Sequence, residues 1–317
     1  EIDRNHDAGL AGVFFLALRE VGKGSKMVPS RKNGTRKLAI PKGRMFDGGV
    51  YRRADAGIHL NQTARSNRPH ANLEGSDVNV LKPQNNVEML HAGSRDLGFA
   101  GADWVAELDG ELVELLDTGL DPVRVVAAAP APLLINGGLP AQRLVVASEY
   151  ERLTRNWISA RELDARFVRS YGATEVFPPE DADLIVDNTA TGSTLVANDL
   201  EVIDTLMESS TRLYACPRAL EDPRLRGRIE DVVLLMGSVL EARRRVMVEV
   251  NISEERLGAL LEVLPCMRQP TVSSLAGGEG FAVKAAVPRS DLPAVVPKIK
   301  AAGGSDIVVT RLAQIVA

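Results

Sequence analysis

The chain is poor in the residues from which several kinds of site are built. Its two cysteines, Cys216 and Cys266, lie far apart in no metal-type spacing, which fits buried thiols in a reducing compartment, here the cytoplasm. The four histidines, His6, His59, His70 and His91, form no His-x-x-x-His pattern, so a metal site built by the protein itself is not expected. Positive charge is not in excess: 38 Lys and Arg stand against 42 Asp and Glu, a formal net charge of −4. That excludes a global basic field for nucleic acid, and a polyphosphate ligand would need local Lys or Arg or a divalent metal. No membrane partner is expected either. The apolar run from Ala8 to Leu18 is too short to span a bilayer, and Glu1-Ile2-Asp3-Arg4 before it lacks the positive region of a secretory signal.

What remains is ordinary globular material, 45% hydrophobic and 25% charged, and 317 residues suffice for two or three domains. Residues 1–35 read as a disordered or extension segment, rich in Gly, Lys, Ser and Arg from 22 to 36. Residues 1–26 are expected to be dispensable, since Met27 precedes the first convincing strand by ten residues. From Lys37 onward, short apolar runs alternate with helical spacing. Strands are expected at Lys37–Ile40, Asp77–Lys82, Leu97–Ala102, Val123–Ala129, Leu144–Ala147 and Phe167–Arg169, with a helix at Asn86–Ala92. The order implies an α/β architecture with mainly parallel sheets.

One stretch organises the rest: Asp183-Leu-Ile-Val-Asp-Asn-Thr-Ala-Thr-Gly-Ser-Thr-Leu-Val-Ala-Asn-Asp-Leu200. Leu184-Ile185-Val186 is a buried strand that delivers Asp187 at its C-terminal end. Thr189, Thr191, Ser193 and Thr194 then crowd hydroxyls around Gly192 before a helix begins at Leu195. Such a turn suits a phosphate, because free main-chain N–H groups point at the anion and glycine admits a close approach. A carboxylate just before it suits a ligand with hydroxyls beside its phosphate, as in a ribose 5-phosphate. The same residues also suit plain turn and N-cap chemistry, and spacing does not decide between the two. The loop matches neither a Walker ending nor Gly-x-Gly-x-x-Gly.

Other signals are weaker. Pro41-Lys42-Gly43-Arg44 ends the first strand with two cations, where ligands of open α/β sheets bind. Asp96-Leu-Gly-Phe-Ala-Gly-Ala-Asp103 has glycines that would admit a ligand or a neighbouring backbone. After the central stretch come two expected strands, Glu201–Leu206 and Arg212–Cys216, then a helix carrying Ile229, Val232, Val233, Met236 and Leu240, closed by Arg243-Arg244-Arg245. The last 72 or so residues read βαββαβ, a ferredoxin-like unit.

With these motifs in hand, the chain from about residue 36 to 317 resembles the long-form ATP phosphoribosyltransferases. The resemblance rests on Pro41–Arg44, Asp96-Leu97-Gly98 with Gly101 and Asp103-Trp104, Gly172-Ala173-Thr174-Glu175-Val176, Asp187–Leu195 with Asn198, and Gln269-Pro270-Thr271-Val272. It implies a two-lobed core shaped like a type II periplasmic binding protein, with a C-terminal regulatory βαββαβ domain of the ACT or PII kind. Domain I would take residues 36–124 and 216–243, domain II 125–215, and the regulatory domain 244–317. The family's reaction joins ATP to phosphoribosyl pyrophosphate, giving N1-(5-phosphoribosyl)-ATP and pyrophosphate, with Mg²⁺ carried by the substrates. Histidine inhibits it and favours a hexamer over an active dimer.

Carried over residue by residue, Asp187, Thr189, Thr191, Gly192, Ser193 and Thr194 would hold phosphoribosyl pyrophosphate. Lys42, Gly43, Arg44 and Asp103 would serve ATP and the polyphosphates, while Glu249 and Thr271 would meet histidine. Glu149 is a candidate cleft ligand or a structural cap. Three departures stand out: Ala190 where relatives often carry Glu or Ser, Lys82 and Asn85 in place of Arg and Asp, and Gly48-Gly49 where a first helix should run. The other class of function compatible with a two-lobed core is small-molecule binding or regulation without catalysis.

Overall fold

The computed structural model describes residues 36–41, 60–61, 70–71, 76–267 and 269–316. Lys42, Gly43, Arg44, the paired Gly48 and Gly49, and the segment 1–35 lie outside the described residues. Two compact units are distinguished, one running to Ile229 and the other from Glu230 onward. Among the described residues no helix is long and apolar enough to cross a membrane.

The first unit is built on an eight-stranded sheet. Its strands are β1 (Arg36–Pro41), β4 (Ser76–Leu81), β5 (Leu97–Gly101), β6 (Val113–Pro130), β7 (Leu144–Ser148), β8 (Ala165–Arg169), β9 (Leu184–Thr189) and β10 (Leu200–Ala215). A separate short ribbon pairs β2 (Leu60–Asn61) with β3 (His70–Ala71). The large sheet runs β4-β1-β5-β10-β6-β9-β7-β8. The trios β4-β1-β5 and β9-β7-β8 are each parallel, and β6 and β10 join them as a long antiparallel pair. The result is two lobes on one sheet.

Each lobe is packed by strand alternation. In β6 the side chains of Val125, Ala127 and Ala129 enter a core with Leu144, Val146, Tyr150, Trp157, Leu184 and Val186. Val126 and Ala128, one residue out of phase, pack on the opposite face with Ala147, Ile185, Leu195 and Leu200. In the other lobe α1 (Pro83–His91) buries Val87 and Leu90 on the sheet. Gly98 of β5 belongs to that contact. A Cβ there would meet Ala39 O at 3.0 Å and Leu90 Cδ1 at 3.1 Å.

Two expected strands, Glu201–Leu206 and Arg212–Cys216, prove to be the ends of the single strand β10, and the expected Val123–Ala129 is only the distal part of β6. The reason is local. Around the crossing between lobes the ladder shifts register, Gly119 and Asp121 have positive φ, and Asp117, Glu208 and Ser210 are polar. Apolar alternation therefore lapses while the backbone hydrogen bonds continue. One further helix, α2 (Ala102–Glu107), was not signalled; α3 (Glu151–Ala160) follows it in chain order, and the helix expected to begin at Leu195 is the five-residue α4 (Ser193–Ala197). After β10 come α5 (Pro217–Glu221) and the long α6 (Pro223–Arg244), which carries the expected apolar register.

From Arg245 onward the second unit is a βαββαβ sheet of order β12-β13-β11-β14, all antiparallel. Its elements are β11 (Arg245–Ile252), α7 (Leu257–Val263), β12 (Thr271–Ser274), β13 (Phe281–Pro288), α8 (Leu292–Ala301) and β14 (Ser305–Arg311). Val246, Val248, Val250 and Ile252 alternate into a core with Leu260, Val283, Val287 and Ile299. This is the ferredoxin-like arrangement expected of the C-terminal residues.

Candidate active site

Strand β9 buries Leu184, Ile185 and Val186 completely and so fixes the backbone that presents Asp187, Asn188 and Thr189 at its C-terminal end. The loop that follows is shaped by its own hydroxyls. Gly192 N–H donates to Thr189 Oγ1 at 3.0 Å, and the Thr191 and Ser193 hydroxyl oxygens lie 3.0 Å apart. Gly192 adopts φ +81°, which L side chains rarely take, and a Cβ there would find no atom within 4 Å. A side chain there would stand in open space. Among the described residues the N–H groups of Thr191 and Thr194 have no hydrogen-bond partner, whereas that of Ser193 is only loosely engaged, by Thr191 Oγ1 at 3.4 Å.

The loop walls a pocket of about 360 Å³ that also takes in Glu149, Gly172, Thr174 and Glu175. Five of the six residues expected to bind the phosphoribosyl donor line it directly, with Gly192 among them in the same turn. Burial pushes the Asp187 carboxyl up to about 6, and the charges of Glu149 and Glu175 add to the rise. Hydrogen bonds from Asn188 N–H and the Thr174 hydroxyl oppose it. Three carboxylates therefore share one cleft. Glu149 is not the cap of α3: the N–H groups of Arg152 and Leu153 at that helix start donate to Glu107 Oε1 and Oε2, at 3.1 and 3.0 Å. Its carboxylate is left to the pocket.

Asp103 lies elsewhere, in an adjoining pocket of about 200 Å³ with Trp104, Asp121 and Ser209. Asp103 is 4% exposed, and its carboxylate accepts from Ser209 Oγ at 2.6 Å and from the Tyr150 hydroxyl at 2.7 Å. Tyr150 is itself completely buried, and its ring stacks on Trp104 with centroids 4.7 Å apart. Its hydroxyl also accepts from Asn188 Nδ2 at 2.9 Å. Burial and the neighbouring Asp103 charge hold this phenol far above its ordinary ionisation range, so it remains a donor. Asn188 lines both pockets. Pro83 reaches the second pocket, but Asn85 on the same helix is exposed away from it.

Sequence reasoning missed Tyr150, Asn188, Thr174, Glu175 and Ser209 as site residues. Thr174 and Glu175 had a signal, the Gly172–Val176 motif, but no role to attach to it. In the second unit Glu249 of β11 and Thr271 of β12 both pair in register with Lys284 of β13, so the three form one row across the sheet. Lys284 Nζ lies 3.1 Å from Glu249 Oε2.

Known proteins match along nearly the whole of this architecture. A family model described as ATP phosphoribosyltransferase matches residues 82–237, and one described as HisG, C-terminal domain, matches residues 242–314. An ATP phosphoribosyltransferase of Chlorobium chlorochromatii is 33% identical over 283 residues, 88% of this chain and 96% of its own. The chain belongs to the ATP phosphoribosyltransferase family. A second ATP phosphoribosyltransferase, from Pelodictyon phaeoclathratiforme, is 32% identical over 280 residues, 87% of this chain and 95% of its own. The solved ATP phosphoribosyl transferase (HisG:HisZ) complex from Thermotoga maritima superposes with a TM-score of 0.56 at 24% identity, covering 64% of this chain and 99% of that one. That likeness bears on the fold.

Proposed function

We propose that the chain condenses ATP with 5-phosphoribosyl 1-pyrophosphate, giving N1-(5-phosphoribosyl)-ATP and pyrophosphate, the first step of histidine biosynthesis. The observation that carries this reading is the pair of pockets meeting at Asn188: one pairs a hydroxyl-rich loop with carboxylates, the other pairs Trp104 with Asp103. The loop from Thr189 to Thr194 holds the 5-phosphate through the Thr191 and Thr194 amides and the small hydroxyls, and Asp187 accepts from the ribose hydroxyls. Trp104 and Asp103 serve the nucleotide side, and Lys42, Gly43 and Arg44 the polyphosphate.

In the reaction adenine N1 forms a bond to the anomeric carbon as the bond to pyrophosphate breaks. Positive charge develops on the sugar ring, and the carboxylates of Asp187, Glu149 and Glu175 in the pocket wall favour it. The rest of the rate enhancement is alignment of two anionic substrates. No nucleophile from the protein is required.

Among the described residues no group of three His, Cys, Asp or Glu side chains is placed to hold a metal ion. The carboxylate oxygens of Asp187, Glu149 and Glu175 are nonetheless hard donors of the kind Mg²⁺ accepts one or two at a time, together with substrate phosphates. Bound with the donor, Mg²⁺ supplies charge neutralisation at the pyrophosphate. The three carboxylates and the anionic donor would otherwise repel.

The second unit is the place for histidine inhibition, with Glu249 for the ligand's amino group and Thr271 for a polar atom. The enzyme acts in the cytoplasm as a homo-oligomer, dimer to hexamer. The deciding experiment is to mix purified chain with ATP, Mg²⁺ and phosphoribosyl pyrophosphate and follow phosphoribosyl-ATP, with and without histidine. Formation of product that histidine suppresses is expected. Binding of a sugar or amino acid in the cleft with no pyrophosphate released would overturn the reading in favour of a non-catalytic binding protein.

A further inference from the structure

The Tyr150 hydroxyl touches both the buried carboxylate of Asp103 in one lobe and the side-chain amide of Asn188 in the other, two groups that line the pockets. Asp103 belongs to α2 in the lobe of β4-β1-β5, whereas Tyr150 and Asn188 belong to the lobe of β9-β7-β8. The phenol donates to Asp103 Oδ2 at 2.7 Å and accepts from Asn188 Nδ2 at 2.9 Å. Asp103 is fixed a second time by Ser209 Oγ, at 2.6 Å, and Asn188 N–H donates to Asp187 Oδ1 at 2.7 Å. The path therefore runs from the second pocket to Asp187 in the loop pocket without a gap. The phenol's surroundings keep it in place: Trp104 stacks on its ring, and just beyond it Glu107 of α2 accepts from the start of α3.

We propose that Tyr150 is a positioning residue whose hydroxyl holds the Asp103 carboxylate and the Asn188 amide in one geometry, so that occupancy of either pocket changes the affinity of the other. The proposal rests on the two-substrate reading above and adds to it a physical route between the substrates. A buried hydroxyl satisfied on both sides has one arrangement that serves both partners, and a ligand that turns Asn188 must also disturb the bond to Asp103. By linkage the effect is reciprocal: the donor must tighten ATP by the same factor as ATP tightens the donor.

The test uses the full chain and Tyr150→Phe, which keeps the ring and its stacking and removes one oxygen. Donor binding is titrated alone with Mg²⁺, then initial rates are measured over a grid of both substrates. The variant is expected to bind donor alone as wild type does, to lose about tenfold in kcat, and to show KM values for each substrate that no longer depend on the other, since a hydrogen bond to a charged group is worth roughly that factor or more. Unchanged kcat and unchanged interdependence of the KM values would overturn the proposal. So would an equal loss of both affinities with interdependence intact, which is the mark of a merely structural residue.

Should Tyr150→Phe fold poorly, Asn188→Ala reads the same coupling from the other end, because it leaves the phenol–Asp103 bond in place. Persistence of coupling in Asn188→Ala would then count against the proposal. If wild-type chain forms no phosphoribosyl-ATP, the activity reading fails by itself. The coupling is still read by titrating ATP at zero and at saturating donor, and its absence from wild type would sink the proposal too.

Discussion

Replacing Asp187 by Asn should stabilise the first unit while harming its chemistry, and both effects can be worked from the structure. The carboxyl is pushed from its ordinary 3.8 to about 6 by burial, with Glu149 and Glu175 nearby. Between pH 4 and 6 the native chain therefore keeps a proton on Asp187 that the unfolded chain has released. Stability falls as pH rises through that window and is level above it, as far as this group is concerned. At about 1.4 kcal/mol per pH unit the span corresponds to roughly 3 kcal/mol for an enclosed charge. Asp187 borders an open cleft, and solvent screening there brings the expectation to about 2 kcal/mol.

Asn can keep the hydrogen bond that Asn188 N–H makes to Asp187 Oδ1, so Asp187→Asn should gain that amount at pH 8 and almost nothing at pH 4. For a unit of this size about 2 kcal/mol corresponds to roughly 4–8 °C in Tm. The two tryptophans, Trp104 and Trp157, both lie in the first unit, so ligand-free thermal melts followed by intrinsic fluorescence report that unit alone. The difference between variant and wild type should open between pH 4 and 6 and then stay constant. A gap of the same size at every pH, or a variant less stable at pH 8, would refute the placement of Asp187 in an acidic, desolvated cleft. Product formation by the variant should fall sharply because the ribose hydroxyls lose an anionic acceptor.

Other substitutions probe the loop and the second unit. Gly192→Val should abolish donor binding, since valine resists the φ of +81° that shapes the turn and its side chain would crowd the proposed phosphate; wild-type donor affinity by titration would contradict this. Thr191→Ala should lower kcat/KM by a factor corresponding to about 2–4 kcal/mol, and a loss under roughly tenfold would reduce Thr191 to a turn residue. Glu249→Ala should relieve histidine inhibition with near-normal uninhibited turnover, although it also frees Lys284; unchanged sensitivity in an inhibition curve would move the inhibitor site elsewhere.

Much of this protein follows from local pattern alone. Val246, Val248, Val250 and Ile252 alternate, Leu257, Leu260 and Leu264 take helical spacing, and the βαββαβ unit follows from such short-range rules. Leu184-Ile185-Val186 with the Thr189–Thr194 loop was legible for the same reason, because a buried strand, a glycine turn and a helix start are adjacent in sequence. Strand β10 was harder, since its middle is polar at the crossing between lobes and only the ladder with β6 makes it one strand.

The partners of Asp103 show what sequence does not contain. Tyr150 is 47 residues away and Ser209 is 106 away, and neither separation has any periodicity to betray it. Glu107 reaches 45 residues to cap α3, which released Glu149 from the role a local reading had left open. Local propensity and alternation determined which segments become strands, helices and the glycine turn after β9. The folding of two lobes onto one sheet decided which carboxylates share a cleft and which phenol stands between the pockets, because burial and hydrogen bonding between distant residues exist only once the chain has closed on itself.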